Sequence, residues 1–292
     1  MHLQRATVAR HSFSRYRHAA GECAPALSTA AVNHATAANE CDIKAFCCPK
    51  SGNSAEEYED AWAQRQTRTP AGIRVAVVDG ATESSFAKLW AALLAQSYVR
   101  SELAGAEFFA RLQPARRLWR QRLAGRPLPW FASEKAEQGA FAAFLGVQID
   151  AHNNRWTALA VGDCCLMQVD DVGKRMRVLK AFPLEKSSQF TMSPYLIGSR
   201  SNGEPPHERI QISKGSLRDG DMLLLATDAV AAWLLKQHEN GRPLWKWLYR
   251  KLGTPESFAA MVAYGRKHGL RNDDFTLVRV IHHDSPVAAK ER

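Results

Sequence analysis

The chain has 292 residues, 46% of them hydrophobic, with 39 Lys and Arg against 29 Asp and Glu. That is enough for one large domain or two small ones with a full core, and no apolar run approaches the roughly 20 residues of a membrane-spanning helix. The net charge of +10 suits anionic partners, although such a charge also simply keeps a protein soluble. The six cysteines lack the CxxC spacing of zinc sites, and a disulfide scaffold does not suit a chain this long and apolar. They are expected as reduced, buried thiols on strands of a cytoplasmic protein.

Residues 1–40 carry four arginines, four histidines and two acids, with much Ala, Ser and Thr. Their apolar stretch is too polar for a secretory signal, and the segment is expected to be a disordered extension. From there to residue 284 the pattern is globular, and 285–292 form a tail. Ile43–Cys48 is predicted as a strand, followed by a polar loop over Lys50–Glu57. Arg74–Val78 is a short buried strand that stops at Asp79-Gly80. Over 84–100 the residues Phe86, Leu89, Trp90, Leu93 and Leu94 fall on one helical face.

Residues 100–135 are basic and helical, with Leu112, Leu118, Trp119 and Leu123 interleaved with Arg111, Arg116, Arg117, Arg120 and Arg122. Arginine beside tryptophan also suits a nucleic-acid surface. The reading adopted is an amphipathic helix with core aromatics and a solvated arginine face, because base-stacking platforms usually sit on strands. Strands are predicted at Ala140–Ile149, Trp156–Val161, Leu166–Val169, Met222–Ala226 and Phe275–His282, with helices over Ala229–Lys236 and Ser257–Lys267. Helices set between groups of strands, with no regular βαβ alternation, indicate a layered α+β domain.

Acidic residues recur where these elements begin or end. Glu59-Asp60 precede Ala61-Trp62, Asp79-Gly80 end Val75–Val78, Thr227-Asp228 end Leu223–Ala226, and Asp273-Asp274 precede Phe275–Val280. Taken singly, Asp-Gly is a turn, Thr-Asp a helix cap and Asp-Asp a solvated pair. Together, strand ends can bring distant carboxylates to one sheet edge, where they repel unless cations sit between them. Hard oxygen ligands select Mg²⁺ or Mn²⁺.

Five segments carry a resemblance: YEDAW (58–62), VVDGATESSF (77–86), AVGDCCL (160–166), GDMLLLATDA (220–229) and RNDDFTLVRV (271–280). In this order and spacing the chain resembles the PPM (PP2C-type) metal-dependent Ser/Thr protein phosphatases, in particular a bacterial subgroup. The resemblance implies a four-layer α-β-β-α sandwich of two antiparallel sheets flanked by helices, and two Mn²⁺ or Mg²⁺ ions that activate a water. It makes Asp79 the bridging ligand, Gly80 a carbonyl ligand, Asp228 and Asp273 direct ligands, and Glu59 and Asp60 ligands through waters. Asp163 matches an aspartate that holds a third ion. Asp274 stands where the family has Asn, so Asp274→Asn is expected to be mild. The implied partner is a phosphorylated protein, with neither nucleic acid nor membrane.

The chain departs from the family at three places. Ala81 replaces the histidine that protonates the leaving oxygen, and Glu83 is a candidate substitute. Ala55 replaces the phosphate-gripping arginine, leaving Lys50 as the nearest cation. Ala232 replaces a further aspartate, which weakens the third-ion role of Asp163. These losses keep open a second reading, a catalytically weak phosphoprotein-binding regulatory module of the same fold.

Overall fold

The computed structural model describes residues 41–283 except 69–70, 83, 85, 101–107, 109–111, 125–129, 151, 173–174, 192 and 201–206. The extension 1–40, the tail 285–292 and Glu83 lie outside the described residues. In chain order the elements are β1 (Cys41–Cys48), β2 (Ala61–Arg68), β3 (Ala71–Gly80), α1 (Ala87–Arg100), α2 (Gln113–Leu123), α3 (Trp130–Gln138), β4 (Phe141–Asp150), β5 (Arg155–Val161), β6 (Cys165–Val172) and β7 (Arg175–Phe182). There follow β8 (Ile197–Gly198), β9 (Gln211–Ser216), β10 (Met222–Ala226), α4 (Asp228–Glu239), α5 (Trp245–Arg250), α6 (Pro255–Lys267) and β11 (Phe275–His282).

Two antiparallel sheets result. One has the order β1-β11-β10-β6-β7, the other β2-β3-β4-β5-β9 with β8 paired to β4. Side-chain alternation along the strands explains the layering. Val75 and Val77 of β3 face the other sheet, as do Leu223 and Leu225 of β10 and Val278 and Val280 of β11. The intervening Ala76 and Val78 face α1 and α2, whereas Met222, Leu224 and Ala226 face α4, α5 and α6. Strands buried on both faces read as continuous apolar runs, and each fully buried Val or Leu contributes about 1.5–3 kcal/mol. The architecture is therefore an α-β-β-α sandwich.

Local signals set the helix ends. Thr254 accepts from the backbone N–H of Ser257 at 3.3 Å and Pro255 opens α6, a capping arrangement. Arg279, buried on β11, donates to the carbonyls of Leu248 and Tyr249 at 3.0 and 3.2 Å and so closes the end of α5. Among the described residues no helix is long and apolar enough to cross a membrane.

Several elements differ from the sequence expectation. β2, β7 and β9 go unpredicted because each is a sheet edge, where polar side chains are tolerated and the apolar run is broken. The basic stretch forms α2 with Trp119 fully buried, as expected of core aromatics, but its arginines are not all solvated. Arg116 is 3% exposed and its Nε donates to the Gly198 carbonyl at 3.2 Å, while Arg117 is exposed. Cys164 and Cys165 are buried thiols as expected, and Cys41, Cys47 and Cys48 are half-buried on β1.

Candidate functional site

Strand polarity gathers the acids at one end of the sandwich. β3 and β5 run the same way, so their C-terminal ends lie beside the N-terminal end of β2. In the other sheet Ala226 of β10 pairs with Leu277 of β11 and Cys165 of β6. The segments carrying Asp60, Asp79, Asp163, Asp228 and Asp273 all emerge there. Asp60 lies one step beyond the last β2–β3 pair, Ala61 with Val78, and so stands beside Asp79. The odd-numbered positions of β3 face the opposite sheet, which directs Asp79 into the gap between the sheets.

Two glycines permit the close approach. A Cβ on Gly80 would lie 2.6 Å from the Glu59 carbonyl oxygen and 3.1 Å from Ala87 Cβ. Gly162 has φ +94, and its Cβ would meet Ala143 Cβ at 2.7 Å. The turn it makes carries the chain from β5 in one sheet to β6 in the other and sets Asp163 at the crossing.

Hydroxyls and backbone amides fix part of the cluster. Thr276 donates to Asp60 Oδ2 at 2.9 Å, and the buried Tyr58 hydroxyl bonds in turn to Thr276. Thr227 does not cap α4 with its side chain. Its Oγ1 accepts from the Thr276 N–H at 3.0 Å, tying β10 to β11 beside the acids. Asp274, 5% exposed, accepts the backbone N–H groups of Lys50 and Glu59 with its two oxygens, each at 2.8 Å. It is thus a brace between loops, and its oxygens are occupied.

Among the described residues, two cations attend the site. Lys50 Nζ donates to Thr82 Oγ1 at 3.2 Å, and its charge acts on Glu59 and Asp273. Arg271 Nη2 forms a short ion pair with Asp228 Oδ2, and its charge also acts on Asp163 and Asp273. In sequence Arg271 is a lone arginine two residues before a proposed ligand, which has no meaning until α4 is folded against it.

Five of these acids, Glu59, Asp60, Asp79, Asp163 and Asp273, resist ionisation. Burial, then Asp60, Asp228, Asp163 and Asp273, hold Asp79 well above the usual carboxylate range. Asp60 is raised by burial and by Asp274, against the hydroxyls of Thr276 and Thr227. Asp163 is pushed up to about 7 by burial and by Asp228. Burial also raises Asp273, with Asp228 adding to it, and raises Glu59, against the Thr82 hydroxyl and Lys50. Cys164 lies among these acids, and burial together with Asp79 and Asp163 keeps its sulfur a thiol, so it is no nucleophile.

Among the described residues, no three acids, histidines or cysteines are already spaced as ligands of one ion. The donor chemistry nevertheless fits a hard divalent cation. Carboxylates predominate, Lys50 and Arg271 offset their repulsion only in part, and Asp79 is still raised by four neighbouring aspartates. The structure brings together Glu59, Asp60, Asp79, Gly80, Asp163, Asp228 and Asp273.

No protein-family model matches the chain, and no curated protein matches it. Solved structures do. A bacterial serine phosphatase is 13% identical at a TM-score of 0.57, with 84% of this chain and 99% of that one covered. The photosystem II phosphatase PBCP is 15% identical at 0.56, covering 84% and 100%. The catalytic domain of the serine/threonine phosphatase PstP, in complex with two manganese ions, is 14% identical at 0.51, covering 84% and 99%. At these identities the likeness is one of fold, and the fold is that of the PP2C-type phosphatases.

Proposed function

We propose that this chain, which has the PP2C-type phosphatase fold, is a metal-dependent phosphoprotein phosphatase acting on phosphoserine and phosphothreonine. The observation that carries the reading is the gathering of acids from well-separated segments of the chain at one end of the sandwich, where burial and neighbouring aspartates together raise Asp79, Asp163 and Asp273. Such an arrangement costs stability and is understood if cations complete it. PstP, of the same fold, holds two manganese ions. Asp79, the Gly80 carbonyl, Asp228 and Asp273 would hold two Mn²⁺ or Mg²⁺ ions, with Glu59 and Asp60 reached through waters and Asp163 serving a third. When bound, the ions supply an activated water and offset charge on the phosphoryl oxygens.

The chain's own residues do the positioning. Thr276 and Thr227 hold the Asp60 carboxylate, and Asp274 holds the backbone of Lys50 and Glu59. Lys50 contributes a positive charge that draws an anionic phosphate toward the acids. The methyl of Ala81 has no proton for the leaving alkoxide, which leaves that role to Glu83 or to water.

The test is phosphate release from a phosphothreonine peptide with Mn²⁺, with Mg²⁺ and with EDTA. Release should require the metal, and Asp79→Ala should lower it more than about 100-fold while the protein stays folded. Equal release in EDTA, or full activity of the variant, would refute the reading. Ala81 and Ala55 favour a second reading, a regulatory module that binds phosphoprotein and turns it over weakly. It predicts metal-dependent phosphopeptide binding with little release.

A further inference from the structure

Arg271 has no part in the function proposed above, yet it is in direct contact with a proposed ligand. Its Nη2 sits on Asp228 Oδ2, and its charge reaches Asp163 and Asp273 as well. The contact joins two elements far apart in sequence. Asp228 opens α4, and Arg271 lies in the turn before β11. The two partners are unequally exposed, Arg271 at 45% and Asp228 at 16%. The guanidinium therefore approaches from the solvent side and covers a carboxylate that faces inward. An oxygen held by a guanidinium is not free to ligate an ion, and a fixed positive charge repels an incoming divalent one.

We propose that Arg271 is an internal competitor for the metal site, a positioning residue that holds Asp228 when no ion is bound and sets how much Mn²⁺ is needed to take Asp228 from it. The inference rests on the reading of Asp228 as a metal ligand. Two effects follow from one side chain. Without metal, the arginine offsets the repulsion among Asp228, Asp163 and Asp273. With metal, the same charge works against binding. The site thus has a resident counter-charge that the ion must displace, which raises the metal concentration at which the acids become occupied.

The experiment is Mn²⁺ titration of the full chain by calorimetry, with no substrate present, for the wild type, Arg271→Gln, Arg271→Lys and Asp79→Asn. Arg271→Gln should bind Mn²⁺ about 10-fold more tightly, the size expected of one charge repelling a divalent ion in partly exposed, salt-screened surroundings. Arg271→Lys keeps the charge and should stay near the wild type. Thermal melts supply a second readout. In EDTA, Arg271→Gln should melt below the wild type, and saturating Mn²⁺ should raise its melting temperature by more than it raises that of the wild type. Unchanged or weaker Mn²⁺ binding by Arg271→Gln, with the wild type binding and Asp79→Asn not, would overturn the competitor role alone. Absence of binding in the wild type and in Arg271→Gln alike would overturn the metal site and the competitor together.

Discussion

Replacing Asp163 by Asn measures what the acidic cluster costs the fold. Asp163 is 5% exposed, and burial with Asp228 beside it lifts its carboxyl from 3.8 to about 7. The sign follows from where the proton sits. Below about pH 4 the group is protonated in the folded and the unfolded chain, and it costs nothing. As pH rises toward 7 the unfolded chain releases the proton while the folded one keeps it, and stability drains away. Above 7 the loss is complete. The gap between the two pKa values is worth roughly 4 kcal/mol if the surroundings stay rigid, and about 2 if Asp228 and Asp273 turn toward solvent. Asn keeps the shape without the charge. Urea unfolding in EDTA, followed by the fluorescence of the eight tryptophans, gives the comparison. Asp163→Asn should be more stable than the wild type, and its advantage should grow by about 2 kcal/mol between pH 5 and pH 8. Saturating Mn²⁺ should shrink it, because the ion offsets the same charge. A difference that does not change with pH, or an Asn variant less stable at pH 8, would refute the reasoning.

Other outcomes follow from the same geometry. Asp274→Asn should cost about 1–3 kcal/mol in urea unfolding, since one amide oxygen cannot serve the N–H groups of both Lys50 and Glu59. Arg116→Glu should destabilise by about 3 kcal/mol or more, because it buries an acid where a guanidinium donates to the Gly198 carbonyl. Arg117→Glu, on the exposed face, should fall within about 0.5 kcal/mol of the wild type. Ala81→His should raise turnover of a phosphothreonine peptide, by up to about 100-fold, while p-nitrophenyl phosphate, with its weakly basic leaving group, changes little. Equal effects on the two substrates would show that leaving-group protonation does not limit the reaction.

Much of this protein is legible in its residues alone. The runs Val75–Val78 and Met222–Ala226 announce central strands, because a strand buried on both faces is apolar almost throughout. The acids at their ends, with glycine after Asp79, mark the candidate site before any contact is known. Side-chain alternation divides β3 into two faces, and only the fold shows that Val75 and Val77 are the ones that meet the opposite sheet. Tertiary structure decided the rest. β2, β7 and β9 carry mixed polarity because an edge strand has one exposed margin, and only the sheet order reveals them. Arg116 and Arg117 are adjacent and identical in type, yet one is buried and the other exposed, according to which side of α2 meets Gly198. Asp273 and Asp274 are equally alike in sequence. Two backbone amides from a loop more than 200 residues earlier make Asp274 a brace and leave Asp273 among the acids. The pairing of Arg271 with Asp228 has the same origin, since burial and charge contact depend on what the rest of the chain brings alongside.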